Sequence, residues 1–199
     1  MNHIQHCSDM KGVYVFLADG FEDVEALGTV DVLRRGGVDV RTVSVTGRLT
    51  VESSHHVMTV ADCLWEDVDA SAEGTDGGDV MIFPGGMPGA SSLAAHGALV
   101  GAMKKHYAAG GAIGAICAAP GLVVSQLPGI AGLRFTCYDG FETAPVAAGG
   151  VYVAEGVVTD GRLITGRGPG YALEFGLALL SYLSGPEKAE GVRAGLYLK

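Results

Sequence analysis

An α/β fold with a parallel sheet and helices on its faces is what this sequence predicts, and three consecutive segments near its start predict it. Residues 13–18, V-Y-V-F-L-A, form a continuous apolar run of the kind buried on both faces in a central parallel strand. Residues 22–35 follow as a helix. Val24, Leu27, Val30 and Leu33 recur there at near-helical spacing, Glu22, Asp23 and Glu25 place acids in the first turn, and Arg34-Arg35-Gly36 closes the last. Residues 38–45, V-D-V-R-T-V-S-V, return to strand character and complete a βαβ unit, whose crossover requires the two strands to run parallel.

The later elements extend this pattern. Residues 49–51 and 57–60 read as short strands, 63–68 as a turn or single helical coil around Trp65, and 71–78, S-A-E-G-T-D-G-G, as a loop. Residues 80–83 are a buried strand cut off by P-G-G-M-P-G, and 93–109 carry helical pattern with an interruption near Gly97. An apolar strand then leads into Cys117, a helix starts near Ala119, and residues 127–150 are rich in Gly and Pro. Short strands are expected at 151–154, 157–159 and 163–165, the last two joined by the hairpin signal Asp160-Gly161. Residues 171–183 form a final helix apolar on most sides, stopped by Gly185-Pro186. Without a linker or repeat to divide it, the chain from 11 to 199 reads as one domain, and residues 1–10 read as a flexible polar tail.

Composition narrows the function classes. With 13 Lys plus Arg against 22 Asp plus Glu and a net charge of −9, the chain lacks the basic footprint that nucleic acid or an anionic membrane surface requires. Small molecules or proteins are the expected partners. No apolar run approaches a membrane span, and residues 1–10 lack the basic and apolar regions of a secretory signal, so a cytoplasmic setting is expected. The four cysteines, Cys7, Cys63, Cys117 and Cys137, are far apart in sequence and show no metal-ligand spacing, which leaves zinc and a disulfide framework with little support. Cys63 and Cys137 read as packing residues, and His96 and His106 as surface positions on helices.

The stretch G-G-A-I-G-A-I-C-A-A-P-G-L-V-V, residues 110–124, carries the most chemistry. It changes from strand to helix at Cys117, and Gly114, Ala115, Ala118 and Ala119 leave room for the sharp turn of a nucleophile elbow. A helix N-terminus beyond that turn would lower the thiol pKa, whereas a buried cysteine serving as a small hydrophobe fits the same stretch equally. Open α/β sheets place ligands at the carboxyl ends of their strands, which would bring Glu22, Asp23 and Glu25, the pair Gly85-Gly86, and Cys117 to one place. The glycine amides could serve an oxyanion hole, or the glycines could simply make a tight turn.

Five segments, A-D-G-F-E-D-V-E-A, P-G-G-M-P-G-A, A-I-C-A-A-P, F-T-C-Y-D-G-F-E and R-G-P-G-Y-A-L-E-F, occur in the order found in the ThiJ/PfpI superfamily, and the chain resembles its DJ-one branch from about Gly12 onward. The resemblance implies a flavodoxin-like three-layer sandwich with a mostly parallel central sheet. It implies an elbow cysteine at Cys117, a carboxylic acid at Glu25, and the amides of Gly85, Gly86 and Ala118 facing the sulfur. It also implies a homodimer and no cofactor or metal. His55 matches an arginine that reaches a neighbouring pocket and Arg35 matches another, although a solvated surface histidine is the plainer reading of His55.

Two departures qualify the match. Ala118 stands where the peptidase-like branch has histidine after the cysteine, which disfavours protease activity. Tyr138 stands where the human-type branch has a histidine, and a phenol of pKa about 10 does not shuttle protons at neutral pH. Catalysis would therefore lean on Glu25. The resemblance then implies a cofactor-independent glyoxalase or deglycase acting on methylglyoxal, glyoxal or their adducts. The alternative is a redox-sensing, chaperone-like stress protein that uses the same cysteine.

Overall fold

The computed structural model describes residues 11–69 and 78–198, so the tail expected at 1–10 and most of the loop expected at 71–78 lie outside the described residues. In chain order the elements are β1 (Val13–Leu17), α1 (Asp23–Arg35), β2 (Val40–Ser44), β3 (Thr50–Glu52), β4 (Met58–Val60), β5 (Cys63–Leu64) and β6 (Val80–Phe83). These are followed by α2 (Gly89–Ala95), α3 (Gly97–Ala108), β7 (Ala112–Ile116), α4 (Ala119–Leu122), β8 (Arg134–Phe135) and α5 (Thr143–Ala147). The chain closes with β9 (Val151–Tyr152), β10 (Val157–Asp160), β11 (Leu163–Gly166), α6 (Ala172–Ser184) and α7 (Pro186–Gly195).

Seven strands form the main sheet in the order β10-β11-β7-β6-β1-β2-β5. Every pairing is parallel except the β10–β11 hairpin, as the Asp160-Gly161 signal requires. Because successive strand residues face opposite sides, the sheet splits the core in two. Tyr14, Phe16, Met81, Phe83 and Ile113 meet Leu93, Leu99 and Met103 of α2 and α3 on one face. Val13, Val15, Leu17, Val80 and Ile82 meet Val30 and Leu33 of α1 and Phe175, Leu179 and Leu180 of α6 on the other. Such side chains stabilise the fold by about 1.5–3 kcal/mol each on full burial, and this double-sided demand is why the strands read as unbroken apolar runs. Where α6 crosses α1, a Cβ on Gly176 would stand 2.9 Å from the Val32 Cβ, so only glycine lets the two helices come this close.

The interruption expected near Gly97 is where α2 gives way to α3, because the chain turns at His96, whose Nδ1 accepts from the Leu99 N–H at 3.1 Å and caps α3. Several sequence expectations need correction. His106 is buried rather than exposed, with its ring filling the space beside Gly111 and Nε2 in contact with the Ala112 carbonyl at 3.0 Å. Gly185 does stop α6, but Pro186 starts α7, since proline is harmless in the first turn of a helix. The histidines at 55 and 56 sit in the turn of the β3–β4 hairpin, and His56 has φ +64°. Cys63 is buried as expected but is disulfide-bonded, whereas Cys117 and Cys137 are free.

Candidate active site

Three neighbouring strands of the sheet, β1, β6 and β7, deliver the site at their carboxyl ends. Strand β7 runs straight into Cys117, whose φ of +65° is a left-handed conformation that a residue with a β-carbon seldom adopts. The Cys117 N–H donates to the Gly166 carbonyl at 2.9 Å, and the Cys117 carbonyl accepts from the Tyr138 N–H at 2.8 Å. These two bonds hold the strained residue between β11 and the loop after β8, with the helical turn of α4 beginning at Ala119. This is the backbone geometry of a nucleophile elbow.

Glu25 comes from the first turn of α1 and is 1% exposed. Its Oε2 accepts from the Gly85 N–H at 2.8 Å, and its own N–H is capped by Glu22 Oε2 at 2.8 Å. Glu25 Oε1 is buried without a nitrogen or oxygen partner, and the group beside the carboxyl is the Cys117 thiol. Gly85 permits this packing. A Cβ there would lie 2.5 Å from Cys117 Cβ, 2.7 Å from Glu25 Oε2 and 2.9 Å from the sulfur. Gly86 has φ +86°, and a Cβ on it would strike the main chain of Gly20 and Glu22.

Burial pushes the Glu25 carboxyl up to about 7; the Gly85 amide and the thiol pull it down, and Glu22 pushes it further up. Burial, followed by the Glu25 carboxyl, pushes the Cys117 thiol up to about 12, against amide hydrogen bonds from Gly86 and Ala118 that favour the thiolate. Carboxyl and thiol titrate as a coupled pair, because the Glu25 carboxyl beside the sulfur disfavours the thiolate while the thiol's hydrogen bond favours the carboxylate. The lowered thiol pKa expected from a helix N-terminus is not what results. At four residues, α4 carries little dipole, and desolvation together with the neighbouring carboxyl outweighs it.

Of the residues singled out in the sequence, Cys117, Glu25, Gly85, Gly86 and Ala118 meet at one point. The amides divide their work, however: Gly85 serves the carboxyl, while Gly86 and Ala118 serve the sulfur. Tyr138 adjoins the site through its main chain. His55 Nδ1 instead contacts Asp23 Oδ2 at 2.8 Å. Burial pushes the Asp23 carboxyl up, but hydrogen bonds from Ser53 and His55 outweigh it and hold the group below its ordinary value. Arg35 lies ten residues past Glu25, about 15 Å along α1, and pairs with Asp31 at 2.7 Å, so the structure does not bring it to the sulfur. Glu22, Asp23 and His55 place ligand-type atoms within 4.8 Å of one another. A cation there would face the positive end of α1, with Glu22 already engaged as its cap and Asp23 by His55.

Tyr171, Arg167 and Pro169 were not read from the sequence as site residues. With Tyr138, Asp139 and Gly168 they line a cavity of about 340 Å³ on the β11 side of the elbow. The segment R-G-P-G was the available signal, but it reads as a helix lead-in unless β11 is known to lie beside β7.

Residues 11–182 match the model of the DJ-1/PfpI family. The chain is 36% identical over 189 residues to Protein DJ-1 homolog A of Arabidopsis thaliana, covering 95% of this chain and 47% of that protein, and so spans about half the length of this relative. It is 34% identical to the Caenorhabditis elegans protein named Glutathione-independent glyoxalase DJR-1.2, covering 89% of this chain and 90% of that protein. Among solved structures, a crystal structure of the DJ-1 superfamily protein STM1931 from Salmonella typhimurium superposes with a TM-score of 0.85 at 34% identity, covering 95% of this chain and 98% of that one.

Proposed function

The chain belongs to the DJ-1/PfpI family, and from that membership and the geometry at Cys117 we propose that it is a cysteine-dependent, cofactor-independent enzyme of glyoxalase or deglycase type. Its substrates would be reactive dicarbonyls such as methylglyoxal and glyoxal, or their early adducts. The observation that carries this reading is the strained Cys117 packed against a buried Glu25 whose carboxyl titrates near 7. A group of that pKa both takes and returns protons at neutral pH, which contributes factors of about 10² to 10⁴ in rate.

The proton balance follows from the pair. Glu25 takes the S–H proton as the sulfur bonds to the aldehyde carbon and returns it to the resulting oxyanion, giving a hemithioacetal. The carboxylate next removes the C–H proton from that carbon while the ketone oxygen gains a proton, giving an enediol. The hydroxyl on the first carbon then gives up its proton as Glu25 returns the first one to the second carbon, so the first carbon is oxidised to a thioester and the second reduced to an alcohol. Water cleaves the thioester to a 2-hydroxy acid and restores the thiol. No external oxidant, reductant or cofactor enters. Metal-free protein should convert methylglyoxal to lactate, with kcat/KM rising with pH and levelling above about 7 as Glu25 ionises. Equal lactate production by wild type and Cys117→Ser would end the proposal.

A redox-sensing role remains the second reading, because the Gly86 and Ala118 amides that face the sulfur would also hold the oxygens of a sulfinate. A cytoplasmic homodimer belongs to the same proposal. Val24 and Leu27 on α1 and Val57, Met58 and Val60 at the β3–β4 hairpin are exposed, and the His55–Asp23 contact ties that hairpin to α1, a setting in which a second copy would cover apolar surface. No helix among the described residues is long and apolar enough to cross a membrane, and neither membrane nor nucleic acid is part of the proposal.

A further inference from the structure

We propose that Glu22 is a positioning residue for Glu25: together with Gly85 it closes a ring of three hydrogen bonds that aims the Glu25 carboxyl at Cys117. The proposal deepens the glyoxalase reading and rests on it. Around the ring, each main-chain N–H serves the next member. The Glu22 N–H donates to the Gly85 carbonyl at 3.0 Å, the Gly85 N–H donates to Glu25 Oε2 at 2.8 Å, and the Glu25 N–H donates to Glu22 Oε2 at 2.8 Å. A shift of any one member therefore disturbs both of its bonds. Gly86 tightens the fit, since a Cβ there would stand 2.4 Å from the Glu22 nitrogen.

The arrangement departs from ordinary helix capping in a way that serves the sulfur. Glu22 is the N-cap of α1, and Glu25 is the third residue of the helix. In a capping box the acid at that position turns back to bond the N-cap N–H, and its carboxyl is occupied there. Here the Gly85 carbonyl takes that N–H instead, which releases the Glu25 carboxyl to accept from the Gly85 N–H and to lie beside the thiol.

Capping alone would be met by Ser, Thr, Asp or Asn, the preferred N-cap residues. A glutamate only 8% exposed brings a second carboxyl into a buried site, at a desolvation cost that a plain cap has no need to incur. What the second carboxyl adds is a like charge next to Glu25. Burial dominates the rise of the Glu25 carboxyl; of the ionisable groups acting on it, the Cys117 thiol pulls it down and Glu22 pushes it further up.

Two variants separate the hydrogen bond from the charge. Glu22→Gln keeps an acceptor for the Glu25 N–H and removes the charge, whereas Glu22→Ala removes both. With methylglyoxal at pH 8, where Glu25 is mostly ionised, Glu22→Ala should lower kcat by about fivefold with KM unchanged, because losing one cap lets the first turn of α1 leave the aligned geometry by about that factor. Glu22→Gln should retain most of the wild-type kcat and move the acid limb of the pH profile to lower pH. Wild-type kcat in Glu22→Ala, or a Glu22→Gln variant as impaired as Glu22→Ala, overturns the proposal.

An NMR titration of the Gly85 amide proton, whose shift follows the Glu25 carboxyl through their hydrogen bond, needs no turnover. It tests the ring even where equal lactate production by wild type and Cys117→Ser has ended the glyoxalase reading. Wild type should titrate near 7, Glu22→Gln at lower pH with the same amplitude, and Glu22→Ala with a clearly reduced amplitude. Full amplitude in Glu22→Ala refutes the ring, and so does an unmoved midpoint in Glu22→Gln, which decides the matter where Glu22→Ala does not fold.

Discussion

Glu25 should make the protein less stable at neutral pH than it would be with an uncharged side chain in its place. Its folded pKa of about 7 stands above the reference value of 4.5, chiefly because burial penalises the anion. Between those values the unfolded chain has released the proton while the folded chain keeps it. Stability from this group is therefore full below about 4.5 and is lost as pH rises to about 7. At 1.36 kcal/mol per pKa unit the loss amounts to about 3 kcal/mol. Glu25→Gln keeps the shape and can still accept from the Gly85 N–H, but it does not titrate. Urea unfolding of both proteins at pH 4.5 and pH 8, extrapolated to water, isolates the carboxyl together with the Cys117 thiol it is coupled to, because the remaining titrations are common to both. The stability difference, variant minus wild type, should grow by about 3 kcal/mol from the lower pH to the higher. Parallel profiles would refute the claim that the buried carboxyl is held uncharged by its surroundings.

Two further outcomes follow from the packing. Gly85→Ala drives a methyl group into Cys117 and Glu25; it should cost about 1–3 kcal/mol of stability by overpacking and lower methylglyoxal turnover far more than that loss explains, which thermal unfolding and kinetics on the same sample would separate. Mild peroxide should oxidise the half-buried Cys117 ahead of Cys137, which is 0% exposed, and stop largely at sulfinate; peptide mass mapping showing Cys137 modified first would contradict this.

The sheet and the reactive centre were legible in the sequence for different reasons. Strands β1, β6 and β7 announce themselves because a parallel strand buried on both faces must be apolar throughout. Cys117, Gly85 and Glu25 could be placed together because each follows a strand whose neighbours the βαβ rule fixes. What escaped depends on contacts distant in sequence. α5 is five residues long, and the two-residue strands β8 and β9 are specified by each other rather than by a local pattern. His106 looks like a surface position until Gly111 is seen to vacate the space its ring fills. The thiol's electrostatics escaped as well, since a helix start is visible in a sequence but the burial of the sulfur, and a carboxyl some ninety residues away beside it, are not. Arg167 and Tyr171 joined the site only because β11 pairs with β7.

The sulfur is held by bonds that no side-chain exchange can touch. Both hydrogen bonds that fix the Cys117 main chain come from main-chain atoms, the Gly166 carbonyl and the Tyr138 N–H. The side chains beside those anchors, Tyr138, Asp139 and Arg167, can thus be replaced without withdrawing either bond. Placement of the nucleophile and the make-up of the surface beside it are in that sense independent: these side chains can be exchanged one at a time while the reacting atom keeps its place.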